Sequence, residues 1–234
     1  MTDGIYLGMN GAVARLAQLD AIADNLANAE TPGFRAARPH FSSFLMSKDG
    51  VPTGAHVVLA ADGVDTRPGE ARVTGRPLDV RLEDKAWLTV SMADGAQAFT
   101  RDGRIDLDGD SRLVIAGHPV LGTGGQPIFV PPGAEVRIRE DGSVLAGGTV
   151  IDKLGLVSLE GELSRVGPTV VRGAPVPLEY TRVQVGALEG SNARALESTV
   201  ELISAQRAYD HAMQAIQASR RLDERGVEAA KIRG

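Results

Sequence analysis

Apolar residues near the start of the chain recur at alternating spacings of four and three residues. This spacing places them on one side of an α-helix, and its continuation over three heptads is typical of a helix that packs against another helix. The pattern predicts a first helix over residues 3–30. Its apolar seam consists of Ile5, Met9, Ala12, Leu16, Leu19, Ala23 and Leu26.

The side of this helix opposite the seam is small or uncharged, where a face exposed to water is normally charged. It consists of Asn10, Ala14, Gln18, Ala21, Asn25 and Asn28. The helix also contains Gly4, Gly8 and Gly11, each of which costs about 1 kcal/mol relative to alanine in a helix interior. These features favour a helix that is stabilised by packing on more than one side, as in an assembly, over an amphipathic helix lying on its own domain.

The first helix is expected to end at Thr31-Pro32-Gly33-Phe34, because proline pushes the preceding residue out of the helical region. A second helical pattern covers residues 192–226, with Ser191 and Asn192 as its predicted N-cap residues. Its apolar stripe consists of Leu202, Ala205, Tyr209, Ala212 and Ile216. The charged tail from Arg220 onwards is expected to fray.

Between the helices, short runs that alternate apolar and polar residues are separated by Asp-Gly turns. The predicted strands are 78–82, 87–90, 98–101, 105–107, 113–115, 136–138 and 144–145, and the Asp-Gly turns between strands lie at 94–95, 102–103 and 141–142. Repeated turns at such short spacing indicate an antiparallel, mostly β unit.

The predicted fold class is therefore α+β, with N- and C-terminal helices that pair as a coiled coil and an inserted, mostly antiparallel β domain. Two heptad helices at opposite ends of a chain can pair only if the middle brings the ends together. The expected division places the terminal helices in residues 1–33 and 191–234, extended connecting segments in 34–75 and 174–190, and the β domain in 76–173.

Composition excludes several classes of protein. The net charge is −5 and no basic run exceeds two residues, so no nucleic-acid partner is expected. The chain has no cysteine, which excludes disulfides and Cys-ligated metals. No apolar run approaches the roughly 20 residues of a membrane helix, so no membrane insertion is expected. The N-terminus has no basic region followed by an apolar core, and we expect no Sec signal.

The acidic run Asp106-Leu107-Asp108-Gly109-Asp110 is similar to the start of a calcium-binding loop. An EF-hand needs glycine at its sixth position and glutamate at its twelfth, where this chain has Ser111 and Gly117. Acidic residues around a hairpin turn are the favoured interpretation, and no metal ligands are predicted.

Other candidate chemistry is also incomplete. The glycine-rich run at 121–125 is followed by Gln126-Pro127, where a phosphate-binding loop has Lys-Ser/Thr. The four histidines are isolated, and no Gly-x-Ser-x-Gly elbow is present. We therefore expect no catalytic residues, no cofactor and no small-molecule substrate, and predict that the protein is not an enzyme.

Three stretches carry a resemblance to a known family. Residues 21–36 read AIADNLANAETPGFRA, which resembles the N-terminal signature of the flagellar rod, hook and hook-associated proteins. The signature positions are Asn25, Asn28, Thr31, Gly33 and Phe34. LEGSN at 188–192 with ISAQRAY at 203–209 resembles the family's closing motif, and GRPLDV at 75–80 with AFTRDG at 98–103 resembles its inserted β domain.

The resemblance implies a structural subunit of the flagellar basal-body rod, which polymerises into the periplasmic shaft that transmits torque from motor to hook. It implies export through the flagellar apparatus, with copies of itself and other rod subunits as partners. GIY at 4–6, MNGA at 9–12 and VPPGA at 130–134 are similar to the proximal rod branch. The distal rod branch is the alternative, and a hook protein would need a further outer domain.

The residues expected to carry packing and assembly lie in both helices and in the signature. They are Ile5, Met9, Leu16, Leu19, Leu26, Asn25, Asn28, Thr31, Gly33, Phe34, Leu202, Ala205, Tyr209 and Ile216. A rival of another class is a secreted β-domain enzyme or carbohydrate-binding module, for which residues 76–173 offer only Trp87, Phe99 and Phe129 as binding aromatics. A calcium-dependent adhesin is a second rival.

Overall fold

A computed structural model of the chain describes residues 2–48, 51–83, 85–178 and 182–232. The side chains of residues 2–10, 39–48, 51–62, 219 and 222–232 lie outside this description, and those of the predicted seam residues Ile5 and Met9 are among them. Within the described residues the chain forms two helices and sixteen strands. They are α1 (Thr2–Ala27), β1 (Ala37–Lys48), β2 (Val51–Val64), β3 (Ala71–Val73), β4 (Val80–Leu82), β5 (Trp87–Ser91), β6 (Gln97–Thr100), β7 (Asp106–Leu107), β8 (Leu113–Ile115), β9 (His118–Pro119), β10 (Val136–Ile138), β11 (Ser143–Ala146), β12 (Thr149–Lys153), β13 (Leu156–Arg165), β14 (Val170–Pro177), β15 (Val183–Val185), β16 (Ala187–Glu189) and α2 (Ala195–Ile232).

The fold is mixed α and β with mostly antiparallel strands, as predicted, and it divides into two compact units. The helix–hairpin unit contains Met1–Ala27, Ala37–Gly63 and Arg194–Gly234. The β-rich unit contains Asn28–Ala36 and Val64–Ala193. Residues 34–75, expected to form one extended connection, are thus shared between the two units. In the described chain, neither helix combines the length and hydropathy needed to cross a membrane.

In the helix–hairpin unit, α1 lies against both α2 and β1, and β1 pairs with β2 in a two-stranded sheet. On the side of α1 opposite the predicted seam, Asn25 is buried and Ala14, Gln18 and Ala21 are half-buried, and Ile22, between the two sides, is also buried. This side can pack closely because its residues are small or uncharged.

The predicted seam of α1 is only partly covered within one chain. Ala12 is buried, whereas Leu19 and Leu26 are half-buried, Ala23 is exposed and Leu16 is 47% exposed. The contact that α1 makes inside the chain therefore leaves most of the heptad seam at its edge or in water.

The predicted stripe of α2 is its least exposed side. Ala205 and Ile216 are buried, while Leu202, Tyr209 and Ala212 are half-buried. Two details of the prediction are wrong. The helix begins at Ala195, three residues after the expected cap, and it continues to Ile232 through the tail that was expected to fray.

The β-rich unit is built around a small closed barrel of β13, β14, β6 and β5. Successive side chains of β5 point to opposite faces of the strand, and both faces are covered. Leu88 and Val90 point into the main apolar core, and Trp87 lies in a second cluster with Phe99 and Val171. With so few aromatic residues, the main core consists largely of valine, leucine and isoleucine.

Two of the predicted Asp-Gly turns connect strands directly. Gly95 between β5 and β6 has φ 79°, and Gly142 between β10 and β11 has φ 81°, a conformation that glycine adopts without strain. The turn predicted at Asp102-Gly103 is wrong in kind, because β6 and β7 do not pair with each other. Glycine is required there for space, since a Cβ at 103 would lie 1.6 Å from the Val80 carbonyl oxygen.

Candidate functional site

The signature residues at the end of α1 act on the main chain around them. The Asn25 side chain accepts a hydrogen bond from the Ala37 amide (2.7 Å) and donates one to the Ala37 carbonyl (3.0 Å). Asn28 and Thr31 form the turn after the helix, where the Thr31 amide donates to the Asn28 carbonyl (3.1 Å) and its hydroxyl contacts Asn28 Oδ1 (3.2 Å). These asparagines and the threonine therefore define how the chain leaves α1.

Gly33 and Phe34 pack into the β-rich unit without free space. Gly33 has φ 68°, and a Cβ there would lie 2.1 Å from the Asp102 amide nitrogen. Its amide donates to the Glu189 carbonyl (2.8 Å). The Phe34 side chain is completely buried, and the Arg165 guanidinium lies 4.7 Å from the centre of its ring. Any side chain at position 33 would therefore push the main chain at Gly33 away from the main chain of Arg101 and Asp102.

A buried ion triad follows directly after the signature. The Glu189 carboxylate lies 2.5 Å from Nη2 of Arg35 and 3.0 Å from Nε of Arg101, and all three side chains are at most 3% exposed. The same carboxylate accepts a hydrogen bond from the Gly69 amide (2.8 Å). Arg101 Nη1 also donates to the carbonyl oxygens of Glu83 (2.6 Å) and Ala86.

The triad is held in its charged form. Burial raises the pKa of Glu189, but the charges of Arg101 and Arg35 and the Gly69 hydrogen bond outweigh it, so the pKa lies below the usual value. Both guanidinium groups lie over the Trp87 ring, with their Cζ atoms 6.0 Å (Arg35) and 5.9 Å (Arg101) from the ring centre. An aromatic face at this distance attracts a cation and limits the cost of burying two arginines.

Asn192 joins two loops instead of capping α2 as predicted. Its side-chain oxygen accepts from the Ala36 amide (2.6 Å), and its side-chain amide donates to the carbonyls of Asp65 (2.9 Å) and Arg67 (2.8 Å). The prediction failed because asparagine before a helix is equally suited to binding main-chain groups of a distant loop.

Asp102 is a buried carboxylate next to the signature segment. Desolvation raises its pKa to about 6, partly offset by the hydrogen bond from the Arg104 amide (3.0 Å). Its position follows from the close packing of residues 101–103 on both Gly33 and Val80. A carboxylate in this place costs stability at neutral pH.

The acidic run at 106–110 forms the hairpin turn between β7 and β8, as predicted. Asp108 accepts hydrogen bonds from the amides of Asp110 (2.9 Å) and Arg112 (2.8 Å), and Arg112 also pairs with both carboxylates. Asp106 pairs with Arg76 at 2.7 Å. Among the described residues, no group of three or more His, Asp or Glu is arranged to hold a metal ion.

The helix–hairpin unit exposes apolar side chains on the outer sides of both helices. On α2, Leu196, Val200 and Ile203 are 79%, 59% and 48% exposed, at helical spacing on the side opposite Ala205. On α1, Val13 is 65% exposed and lies near Leu16. These five residues are called the exposed stripes below.

Reasoning from the sequence missed the triad and the role of Asn192. Arg35, Arg101 and Glu189 all lie within or beside the stretches that carried the family resemblance. Periodicity alone gives no sign that a charge is buried, so the pattern of the sequence does not distinguish these three residues from surface charges.

Family models match three parts of the chain. The model described as "Flagella basal body rod protein" matches residues 5–35, and "Flagellar hook protein FlgE/F/G D1 domain" matches 82–146. "Flagellar basal body rod FlgEFG protein C-terminal" matches 184–228. The matched regions include Arg35, Arg101 and Glu189 respectively.

Curated relatives match nearly the whole chain. The flagellar basal-body rod protein FlgF of Escherichia coli (strain K12) is 37% identical over 92% of this chain and 93% of its own length. FlgF of Rhizobium meliloti (strain 1021) is 33% identical over 90% of both chains, and FlgG of Agrobacterium fabrum (strain C58) is 28% identical over 88% of this chain and 91% of its own. The predicted resemblance is thus confirmed, and the chain belongs to the flagellar basal-body rod protein family.

Proposed function

We propose that the protein is a structural subunit of the flagellar rod, which polymerises through its helix–hairpin unit and transmits torque without performing catalysis. The observation that carries this proposal is the pair of exposed stripes. Isolated exposed apolar residues are ordinary, but apolar residues at helical spacing on the outer sides of two adjacent helices favour a protein partner. In a polymer of identical subunits, neighbouring copies supply that partner.

The half-covered seam of α1 supports the same proposal. Leu16, Leu19 and Leu26 follow a heptad spacing, yet within the chain Leu16 is exposed and Leu19 and Leu26 are only half-buried. A heptad seam that is incompletely buried by its own chain can complete its packing against helices of adjacent subunits. We propose that α1 and α2 pair as a coiled coil in the assembled rod, where the seam is fully covered.

The names of the relatives extend the proposal to place and partners. We propose that the chain assembles in the basal body with copies of itself and with other rod subunits, in the proximal part of the rod. FlgF relatives at 37% and 33% identity support the proximal position over the distal one. Export through the flagellar apparatus without a Sec signal belongs to the same proposal.

The test introduces one charge into an exposed stripe. We expect Val200→Asp to fold normally, because Val200 is exposed in the single chain, but to abolish rod completion and swimming when it replaces the wild-type gene. A carboxylate buried at a subunit interface without a partner costs several kcal/mol, whereas the same carboxylate in water costs little. Gln206→Asp is the matched control, since Gln206 is exposed on another side of the same helix.

Swimming assays and imaging of purified basal bodies measure the outcome, with circular dichroism to verify folding. Complete rods in the Val200→Asp strain would exclude this stripe as an assembly surface. Equal loss of function in the Gln206→Asp strain would show that any charge on α2 is harmful, and the stripe would lose its special role.

A further inference from the structure

Glu189 contacts three separate segments of the β-rich unit. Its carboxylate joins Arg35, Gly69 and Arg101, while its carbonyl accepts the Gly33 amide. Its strand β16 pairs with β3, and the following amide, that of Gly190, donates to the Glu70 carbonyl (2.8 Å). One residue therefore connects residues 33–35, 69–71 and 101.

These segments meet through bare main chain. A Cβ on Gly69 would lie 2.0 Å from the Gly190 carbonyl oxygen, and one on Gly33 would lie 2.1 Å from the Asp102 nitrogen. Because no flexible side chain separates the segments, small displacements cannot be absorbed locally. The contacts at Gly33, Gly69 and Gly190 are therefore expected to form together and to break together.

The barrel and both apolar clusters of this unit take none of their members from residues 28–36, 65–71 or 187–193. Arg101, which donates to the Ala86 carbonyl beside β5, is the triad residue that belongs to the barrel side. Opening of the triad would also return three charges to water, which offsets much of the lost ion pairing. We therefore expect the segments around the triad to open at lower free energy than the barrel.

We propose that Glu189 is a latch, whose release opens residues 28–36, 65–71 and 187–193 as one cooperative segment while the barrel stays folded. Residues 28–36 continue from α1, and residues 187–193 continue into α2. The latch therefore holds or frees the chain leading to both helices in a single step. This inference rests on contacts within the β-rich unit and is independent of the proposed function.

Native-state amide hydrogen exchange on the full chain, at low urea concentrations, tests the latch. We expect the amides of Gly33, Gly69 and Gly190 to exchange through one shared opening with the same urea dependence. The amides of Thr89 and Leu121, which donate to the carbonyls of Gly155 and Thr89 in the barrel region, should exchange more slowly and only on global unfolding. If the three glycine amides exchange with different urea dependences, or if they exchange together with the Thr89 amide, the latch is refuted. The wild-type chain is sufficient for this test.

Glu189→Gln removes the charge but keeps the size of the side chain and one acceptor oxygen for the Gly69 amide. It therefore tests the contribution of the charge alone. We expect exchange at the three glycines to accelerate about a hundredfold or more, since one buried partner of two arginines loses its charge, while Thr89 and Leu121 change little. Glu160→Gln is the matched control at an exposed position and should alter neither set. Equal acceleration of both sets by Glu189→Gln would show that the triad contributes only to global stability.

Discussion

The two units of this chain place polar and apolar groups in opposite ways. In the helix–hairpin unit, leucine and valine side chains of the exposed stripes lie in water, up to 79% exposed at Leu196. In the β-rich unit, the charged side chains of Arg101 and Glu189 are each 1% exposed. We propose that a neighbouring subunit covers the first group, whereas Arg101 and Glu189 pair with each other within the chain.

The comparison sets a unit whose buried charges meet within the chain beside a unit that we propose is completed by neighbouring subunits. Buried charges are tolerated only where partners are positioned on all sides, as around Glu189. Exposed apolar residues cost a single chain little but stabilise an interface when a neighbour covers them. Each of the following predictions tests a different part of this contrast.

The largest expected effect is a difference in stability loss between alanine substitutions at a buried leucine and at an exposed one. Leu88→Ala should destabilise the isolated chain by about 2–5 kcal/mol, because it leaves a cavity in a completely buried position of the barrel core. Leu16→Ala should cost less than about 1 kcal/mol, because nearly half of this side chain is already in water. Urea denaturation followed by circular dichroism and Trp87 fluorescence measures both. Similar losses for the two variants would contradict the contrast between the units.

The second effect concerns two glycines with the same backbone conformation. Gly95→Ala should cost about 1–2 kcal/mol for its positive φ alone, since a Cβ there meets nothing within 4 Å. Gly33→Ala should cost on the order of 3 kcal/mol or more, because the added Cβ also collides with the main chain of Arg101 and Asp102. Urea midpoints of the two variants give the comparison. An equal cost would mean that the signature segment can move away from residues 101–102 freely.

The smallest effect is a pH dependence that originates in the β-rich unit. The pKa of Asp102 is raised from 3.8 to about 6, so its ionised form destabilises the folded state. Stability should therefore rise by about 1 kcal/mol as the pH falls from 7 to 5, and this rise should be absent in Asp102→Asn. Urea midpoints measured at each pH give both curves, and parallel curves would exclude Asp102 as the source.

Glu189 is expected to reduce the stability of the folded chain at lower pH, which is the opposite of the effect of Asp102. Its pKa is lowered from 4.5, so it stabilises the folded state above that value and loses this contribution as the pH falls through its folded pKa. Stability is then expected to pass through a maximum between the two transitions. A continued rise in stability into strong acid would contradict the charged state of the triad.

The elements of this fold were predictable because their signals are local. The spacing of Leu202, Ala205 and Tyr209 predicted the covered side of α2, and the Asp-Gly pairs at 94–95 and 141–142 predicted two strand connections. Each signal needs only neighbouring residues, since helix period and turn conformation are properties of a few consecutive peptide units. The same reasoning misplaced the start of α2, because Asn192 binds groups far away in sequence.

The buried site could not be predicted in the same way. Arg101 and Glu189 are separated by 88 residues, and Asn192 and Ala36 by 156. No periodicity relates such positions, and an arginine in an alternating strand pattern is indistinguishable from a surface arginine. The family resemblance identified the stretches that contain these residues, but it did not reveal that their charges meet.

The sequence by itself determined the two terminal helices, the antiparallel character of the middle and the family, because these depend on local periodicity, turn chemistry and short motifs. Only the tertiary structure decided which side of α1 is covered and which charges are buried. Those choices depend on close approach of distant segments, where Gly33 and Gly69 leave room for main chain alone. Burial of Arg35, Arg101 and Glu189 is tolerated only because that approach has brought opposite charges together.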